Sequence, residues 1–178
     1  MIEQHIRLMA EYNRWMNRKV YETAAKLSAE QLSENRGAFF GSVLGTLNHL
    51  MVADTIWFQR IAAALPAHES LQTIRALPTP ASLDATIFSE LAPLTARRAM
   101  IDDSILAFAT ALTAEALAST VGYTSMKGVP AARNLHALLT HVFNHQTHHR
   151  GQTTTLLSQF GLDVGVTDLL VLIPEVQP

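Results

Sequence analysis

The chain has 178 residues, 13 Lys and Arg against 15 Asp and Glu, a net charge of −2 and no cysteine. That length suits one domain, 1–178, with one sizeable core. The missing cysteines exclude disulfides, thiolate metal sites, iron–sulfur clusters and a cysteine nucleophile, and the lack of net positive charge argues against nucleic-acid binding.

Only 16% of the residues are charged while 48% are hydrophobic. The charged share is well below the roughly 25% of an average domain, which points to surface covered by a second subunit. No uninterrupted apolar run approaches the ~20 residues of a membrane span. The opening Met1-Ile-Glu-Gln-His5 lacks a signal-peptide pattern. A soluble cytoplasmic protein is expected.

Residues 2–27 predict an amphipathic helix. Ile6, Met9, Tyr12 or Asn13, Met16, Val20, Ala24 and Leu27 recur with a period near 3.6. Ser28 with Gln31 three residues later is a capping pair for a short helical turn. Asn35, Gly37 and Gly41 mark a loop, and Ser42 is an N-cap for a second helix to about Ala64. That helix is apolar on two sides. Val43, Leu47, Leu50, Trp57, Phe58 and Ile61 form one stripe with Asp54 inside it, and His49 lies about 140° round the wheel beside Val52, Ala53 and Ile56. Such a helix is buried on two sides, one against the bundle and the other against a crossing segment or second subunit.

Pro66, Pro78 and Pro80 mark a long crossover containing a small turn near His68. A third helix is predicted over 82–112, with Leu83, Ile87, Leu91, Leu94, Ile105 and Phe108 inward and a kink or interruption at Pro93. Residues 118–129 carry β-branched and turn residues without helical period and read as a short strand or hairpin. Pro130 is placed in the first turn region of a fourth helix that ends at Gly161. The segment Thr167–Pro174 is apolar and is expected to pack back on the body. Four long helices with one crossover imply an all-α four-helix bundle, whose core commonly carries metal sites.

The fourth helix holds the most informative run, His141-Val-Phe-Asn-His145-Gln-Thr-His148-His149-Arg-Gly-Gln152. His141, His145 and His149 fall on one face, one turn apart, in a stripe shared with Leu138, Val142, Leu156 and Phe160. Buried imidazoles need partners, and a divalent cation is one that neutral imidazole suits. Two histidines four apart can chelate, as in zincins, although the Glu of that motif is missing here. His145 with His149 is the natural pair, and His148 could replace His149 at the i,i+3 spacing. His49, the histidine of the second helix, is the best third ligand. Three imidazoles leave a coordination position open, the catalytic pattern. His141 reads as a neighbour rather than a ligand, and His5, His68 and His136 as surface or packing residues. The plainer alternative is that these histidines hydrogen-bond one another and bind nothing. Asp54 reads as a helix-crossing hydrogen-bond partner, with Arg150 as its candidate mate, or as a carboxylate behind the metal ligands. Tyr123 and Asp54 are candidate general bases. No nucleophile elbow, phosphate loop or dinucleotide fingerprint is present.

With these motifs in order, the chain resembles the DinB/YfiT-like superfamily of metalloenzymes along nearly its whole length. The resemblance rests on Tyr12-Asn-Arg-Trp15-Met-Asn17 in the first helix, on Gly41 to Arg60 with His49, Asp54 and Trp57, on Asn144-His145-Gln-Thr-His148-His149-Arg150-Gly151-Gln152, and less specifically on Gly161 and Asp168-Leu-Leu. It implies a four-helix bundle with a crossover, usually a homodimer. It also implies a divalent metal, zinc or nickel, held by His49, His145 and His149, which selects His149 over His148. Characterised relatives include transferases and isomerases that use low-molecular-weight thiols such as bacillithiol, mycothiol or glutathione. The resemblance therefore implies a metal-dependent enzyme, a thiol-dependent S-transferase acting on small electrophiles or a hydrolase-like enzyme, with small-molecule substrates and no nucleic-acid or membrane partner. A non-catalytic metal-binding stress-response bundle and a dimerisation module are the alternatives.

Overall fold

The structure, a computed structural model, describes residues 1–176. It is mostly helical with one small two-stranded sheet. Helix α1 spans Ile2–Ala24 and buries Ile6, Ala10, Asn13, Met16, Asn17, Val20 and Ala24 along one face, as the period predicts. Helix α2, Ala29–Ser33, starts with the expected capping box: Ser28 Oγ accepts from Gln31 N, and Gln31 Oε1 accepts from Ser28 N. Helix α3, Val43–Ala64, begins at Ser42, whose hydroxyl accepts from the Gly45 amide.

Helix α3 is buried on both faces, by α7 on one side and by α4 (Gln72–Arg75), α5 (Leu91–Ala111) and strand β1 (Thr120–Thr124) elsewhere. The two-sided apolar pattern that suggested a second subunit is thus accounted for inside one chain.

The third long helix departs from expectation. It runs Leu91–Ala111, not from Ser82. Residues 82–90 are non-helical, and Asn48 of α3 takes over backbone groups of Ile87 and Phe88 within them. Its Oδ1 accepts from the amides of Ile87 and Phe88, at 2.8 and 3.0 Å, and its Nδ2 donates to Phe88 O. Pro93 then falls in the first turn of α5, where amides have no intrahelical partner, so it neither kinks nor interrupts the helix. Leu83, expected inward, is half exposed.

Helix α6, Ala114–Ala118, leads into β1, which pairs antiparallel with β2, Pro130–Asn134, from Thr120↔Asn134 to Thr124↔Pro130. A hairpin forms, but the expected range 118–129 covers only its first strand and turn, and Pro130 opens β2 rather than the last helix. Helix α7, Leu135–Ser158, is capped instead by Asn134, whose Oδ1 accepts from Ala137 N and whose Nδ2 donates to Leu117 O. Gly161, at φ 74°, follows the helix end. The tail docks only in part. The Tyr12 hydroxyl donates to Thr167 O at 2.6 Å and Leu169 and Leu172 touch the core, whereas Leu170 and Val171 are exposed.

Helix α1 packs along α5 and α7, and α3 along α7 and α5. The four long helices share one apolar core with Phe58, Phe108, Leu47, Ile61, Ile101 and Ile105 at its centre. Among the described residues no helix is long and apolar enough to cross a membrane.

Candidate metal centre

Crossing the apolar core is a layer of polar side chains, and the candidate site sits beside it. Asp54 of α3 accepts from Arg98 Nη1 of α5 at 2.6 Å and from the amide of Gln146 of α7. Arg98 Nη2 lies 2.9 Å from Asp102 Oδ1. Asp102 also accepts from Asn13 and Asn17 of α1. All six are buried. Burial alone would lower the Arg98 pKa, but the Asp102 and Asp54 carboxylates outweigh it and raise it. Burial lifts Asp102 to about 6. Asp54 is therefore a clamp between three helices, the structural role of the two considered for it. Arg150 is not its mate. Arg150 donates instead to the side-chain oxygens of Asn13, Asn17 and Gln146, and burial takes it down to about 10.

This clamp fixes the rotation of α3 against α7, and with it the approach of His49 to His145 and His149. These three histidines offer ring nitrogens that all lie within 4.8 Å of one another. His49 and His149 are buried and His145 is half-buried. His49 Nδ1 donates to the carbonyl of Leu83 at 2.8 Å. A carbonyl only accepts, so the neutral ring presents its Nε2 lone pair to the cluster. His149 Nδ1 is held by Gln152 Oε1 at 2.8 Å, which frees its Nε2 in the same way, while Gln152 Nε2 turns to His148. His49 Nε2 lies 3.2 Å from His145 Nε2. An Nε2–H on His145 can fill that gap, and a cation can take the proton's place.

Zinc–imidazole bonds of 2.0–2.1 Å in a tetrahedral arrangement set the nitrogens about 3.3 Å apart. The 3.2 Å between His49 and His145 matches that value, the third nitrogen lies within 4.8 Å of both, and the two outer hydrogen bonds are of the kind that orient metal-bound histidines. Burial lowers the pKa of all three rings, with His145 taken to about 3 by burial and then by the neighbouring His149 and His49. Neutral imidazole, the ligating form, is thereby favoured at neutral pH.

The Phe40 ring stacks on His49 at 3.8 Å between centroids and meets His149 edge-on at 5.5 Å. Phe40 reaches this position from the loop before α3, where Gly41 takes φ 75°. Gly45 lets that loop close: a Cβ there would come within 2.1 Å of Phe40 O.

The other candidates lie outside the group. His148 is exposed and bonded to Gln152. His141 is exposed, 6.0 Å from the His145 ring and edge-on to Trp57. Tyr123 meets Trp57 edge-on, at 5.2 Å between ring centroids. Four contributing residues are not apparent from residue spacing. Phe40 left only the signal of an aromatic pair beside a loop glycine, and the Leu83 carbonyl left none. Arg98 and Asp102 left an i,i+4 charge pair within an apolar helix.

The fold and site define a helical protein with a three-histidine group able to take a metal ion. The DinB family model matches residues 1–175, essentially the whole chain, and the chain belongs to the DinB family. Comparison with curated proteins and with solved structures gives no match.

Proposed function

We propose that this protein is a divalent-metal-dependent enzyme whose four long helices form a DinB-type bundle, and that it joins a low-molecular-weight thiol to a small electrophile. The observation that carries the reading is the convergence of three imidazole nitrogens, two of them on rings tied back through Nδ1 to Leu83 O and Gln152. A structural site would be closed, whereas His145 keeps partial exposure.

His49, His145 and His149 would hold the ion, zinc or nickel. An ion so held supplies Lewis acidity that lowers the proton affinity of a thiol or water in its open positions. Phe40 shields the His49 ring from solvent. The backbone carbonyl of Leu83 and the Gln152 amide keep two donors aimed while substrate exchanges. In the overall reaction the thiol sulfur bonds to the electrophilic carbon, the carbon's bond to its leaving group (chloride in the probes below) breaks with the pair going to that group, and the thiol proton passes to solvent.

The test is thiol-dependent conversion of monochlorobimane or a chlorinated dinitrobenzene by metal-loaded protein, with several thiols in parallel. Turnover lost both on chelation and in His145→Ala, with helical content retained, is expected. Turnover indifferent to chelator and to that substitution refutes the proposal.

A further inference from the structure

A row of aromatic rings runs from the three-histidine site along α7 to a groove beside the hairpin. Its wall is a chain of rings. His141 follows His145 at 6.0 Å, Trp57 follows His141 at 5.3 Å, and Tyr123 follows Trp57 at 5.2 Å. The cavity between Trp57, Tyr123, Arg133, Leu138 and His141 measures about 350 Å³, enough for a small organic molecule. Strand register explains the composition of the wall. Val121 pairs with Arg133 and is buried, so Tyr123, two residues along, and Arg133 lie on the same inward face of the hairpin. The Arg60 guanidinium lies 4.8 Å from the Trp57 ring and 4.9 Å from Tyr123.

The charge of this region is one-sided. From Ala116 to Leu162 the sequence contains no Asp or Glu. The one acid of α3, Asp54, is buried and paired with Arg98. Among the described residues neither Arg60 nor Arg133 makes an ion pair. No carboxylate lines this cavity or the adjoining one that shares Tyr123. Each guanidinium gives one N–H to a backbone carbonyl, Arg60 to Thr124 O and Arg133 to Ala132 O, and with no counter-charge on either, their remaining donors at the end of an aromatic wall are suited to bind an organic carboxylate.

We propose that this groove is the recognition site for an organic carboxylate, the anionic end of the substrate, with its body on Trp57 and Tyr123 and its reactive end toward His145. The assignment of the reactive end rests on the three-histidine reading. The carboxylate site rests on the groove itself.

The chain has two tryptophans, so Trp15→Phe leaves Trp57 as the fluorescent reporter. The probes are 3-phenylpropionate and its neutral amide, titrated into this variant at low ionic strength with calorimetry alongside. Metal content is measured on the same samples. We expect the acid to bind at least tenfold more tightly than the amide. The preference should vanish in Arg133→Gln, an exposed position whose change leaves the fold intact, and fall in Arg60→Gln. It should persist in Arg7→Gln on α1 and in His145→Ala. Equal binding of acid and amide, no binding of either, or a preference that survives Arg133→Gln and Arg60→Gln together overturns the proposal. Preference in a protein that takes up no metal upholds the carboxylate site and refutes the metal-enzyme reading, so the two failures are distinguishable.

Discussion

The clamp through Asp54 makes a quantitative prediction. Asp54 and Asp102 carry two negative charges in the core, and Arg98 and Arg150 two positive ones, all almost fully buried. Asp54→Asn keeps the shape and removes one charge. Arg98 then has Asp102 alone, and the layer holds one net positive charge away from water. Breaking a buried pair in this way costs about 3–5 kcal/mol. For a chain of this size each kcal/mol shifts Tm by about 2–4 °C, so a loss of roughly 6–20 °C is expected. Urea unfolding followed by far-ultraviolet dichroism reads the same loss as a lower midpoint at unchanged slope. The exposed Arg7–Glu11 pair, at 2.9 Å, is the internal control, and Glu11→Gln should cost no more than about 0.5 kcal/mol. An Asp54→Asn protein that loses less than about 1 kcal/mol would refute the view that this layer is an interdependent electrostatic unit.

Three further outcomes follow from the site. Gln152→Ala removes the acceptor of His149 Nδ1 and should weaken metal affinity about 10–100-fold, read by competition with a chromophoric chelator. Gly45→Ala forces its new methyl against Phe40 O. It should cost about 1–3 kcal/mol and loosen the Phe40 loop, seen as faster amide exchange over residues 37–42. In chelator-treated protein, acid should destabilise the fold through the histidines. Folded His145 has its pKa lowered to about 3, against about 6.5 unfolded. Its contribution is full above pH ~6.5 and is lost as pH falls toward 3, because the unfolded chain binds the extra proton. His49 and His149 are shifted the same way. Asp102, raised to about 6, opposes them: its contribution is full below its unfolded value near 4 and is lost as pH rises through 6. Comparing melting curves at pH 7.5 and 5 with those of His145→Ala isolates the histidine part. A variant with the same acid sensitivity as the wild type would contradict it.

Which parts of this molecule were legible in the sequence follows from the range of the forces involved. Helices α1 and α3 and the Ser28, Ser42 and Gly41 boundaries are set by local periodicity and capping, and they are where the sequence places them. The histidine positions are legible for the same reason, since i and i+4 residues share a helix face regardless of tertiary detail. What failed was decided at a distance. Residues 82–90 have an amphipathic helical pattern, yet Asn48, some forty positions earlier, offers their backbone hydrogen bonds that compete with the helix. Pro130 suits a helix start, but pairing with Thr124 draws it into a strand and leaves the cap to Asn134. Arg150 was matched to Asp54 by charge alone, whereas Arg98 on another helix reaches it first. The low charged fraction suggested covered surface, but part of that signal is the burial of α3 within its own chain.

The central claim is that His49, His145 and His149 hold one divalent ion. Elemental analysis of protein purified without an affinity tag, compared with His49→Ala and His149→Ala, tests it most directly. The account predicts roughly one zinc, nickel or similar ion per chain, lost in both variants while their helical dichroism is retained. A wild-type protein that holds no metal even after incubation with divalent ions, or variants that keep the full complement, would contradict it.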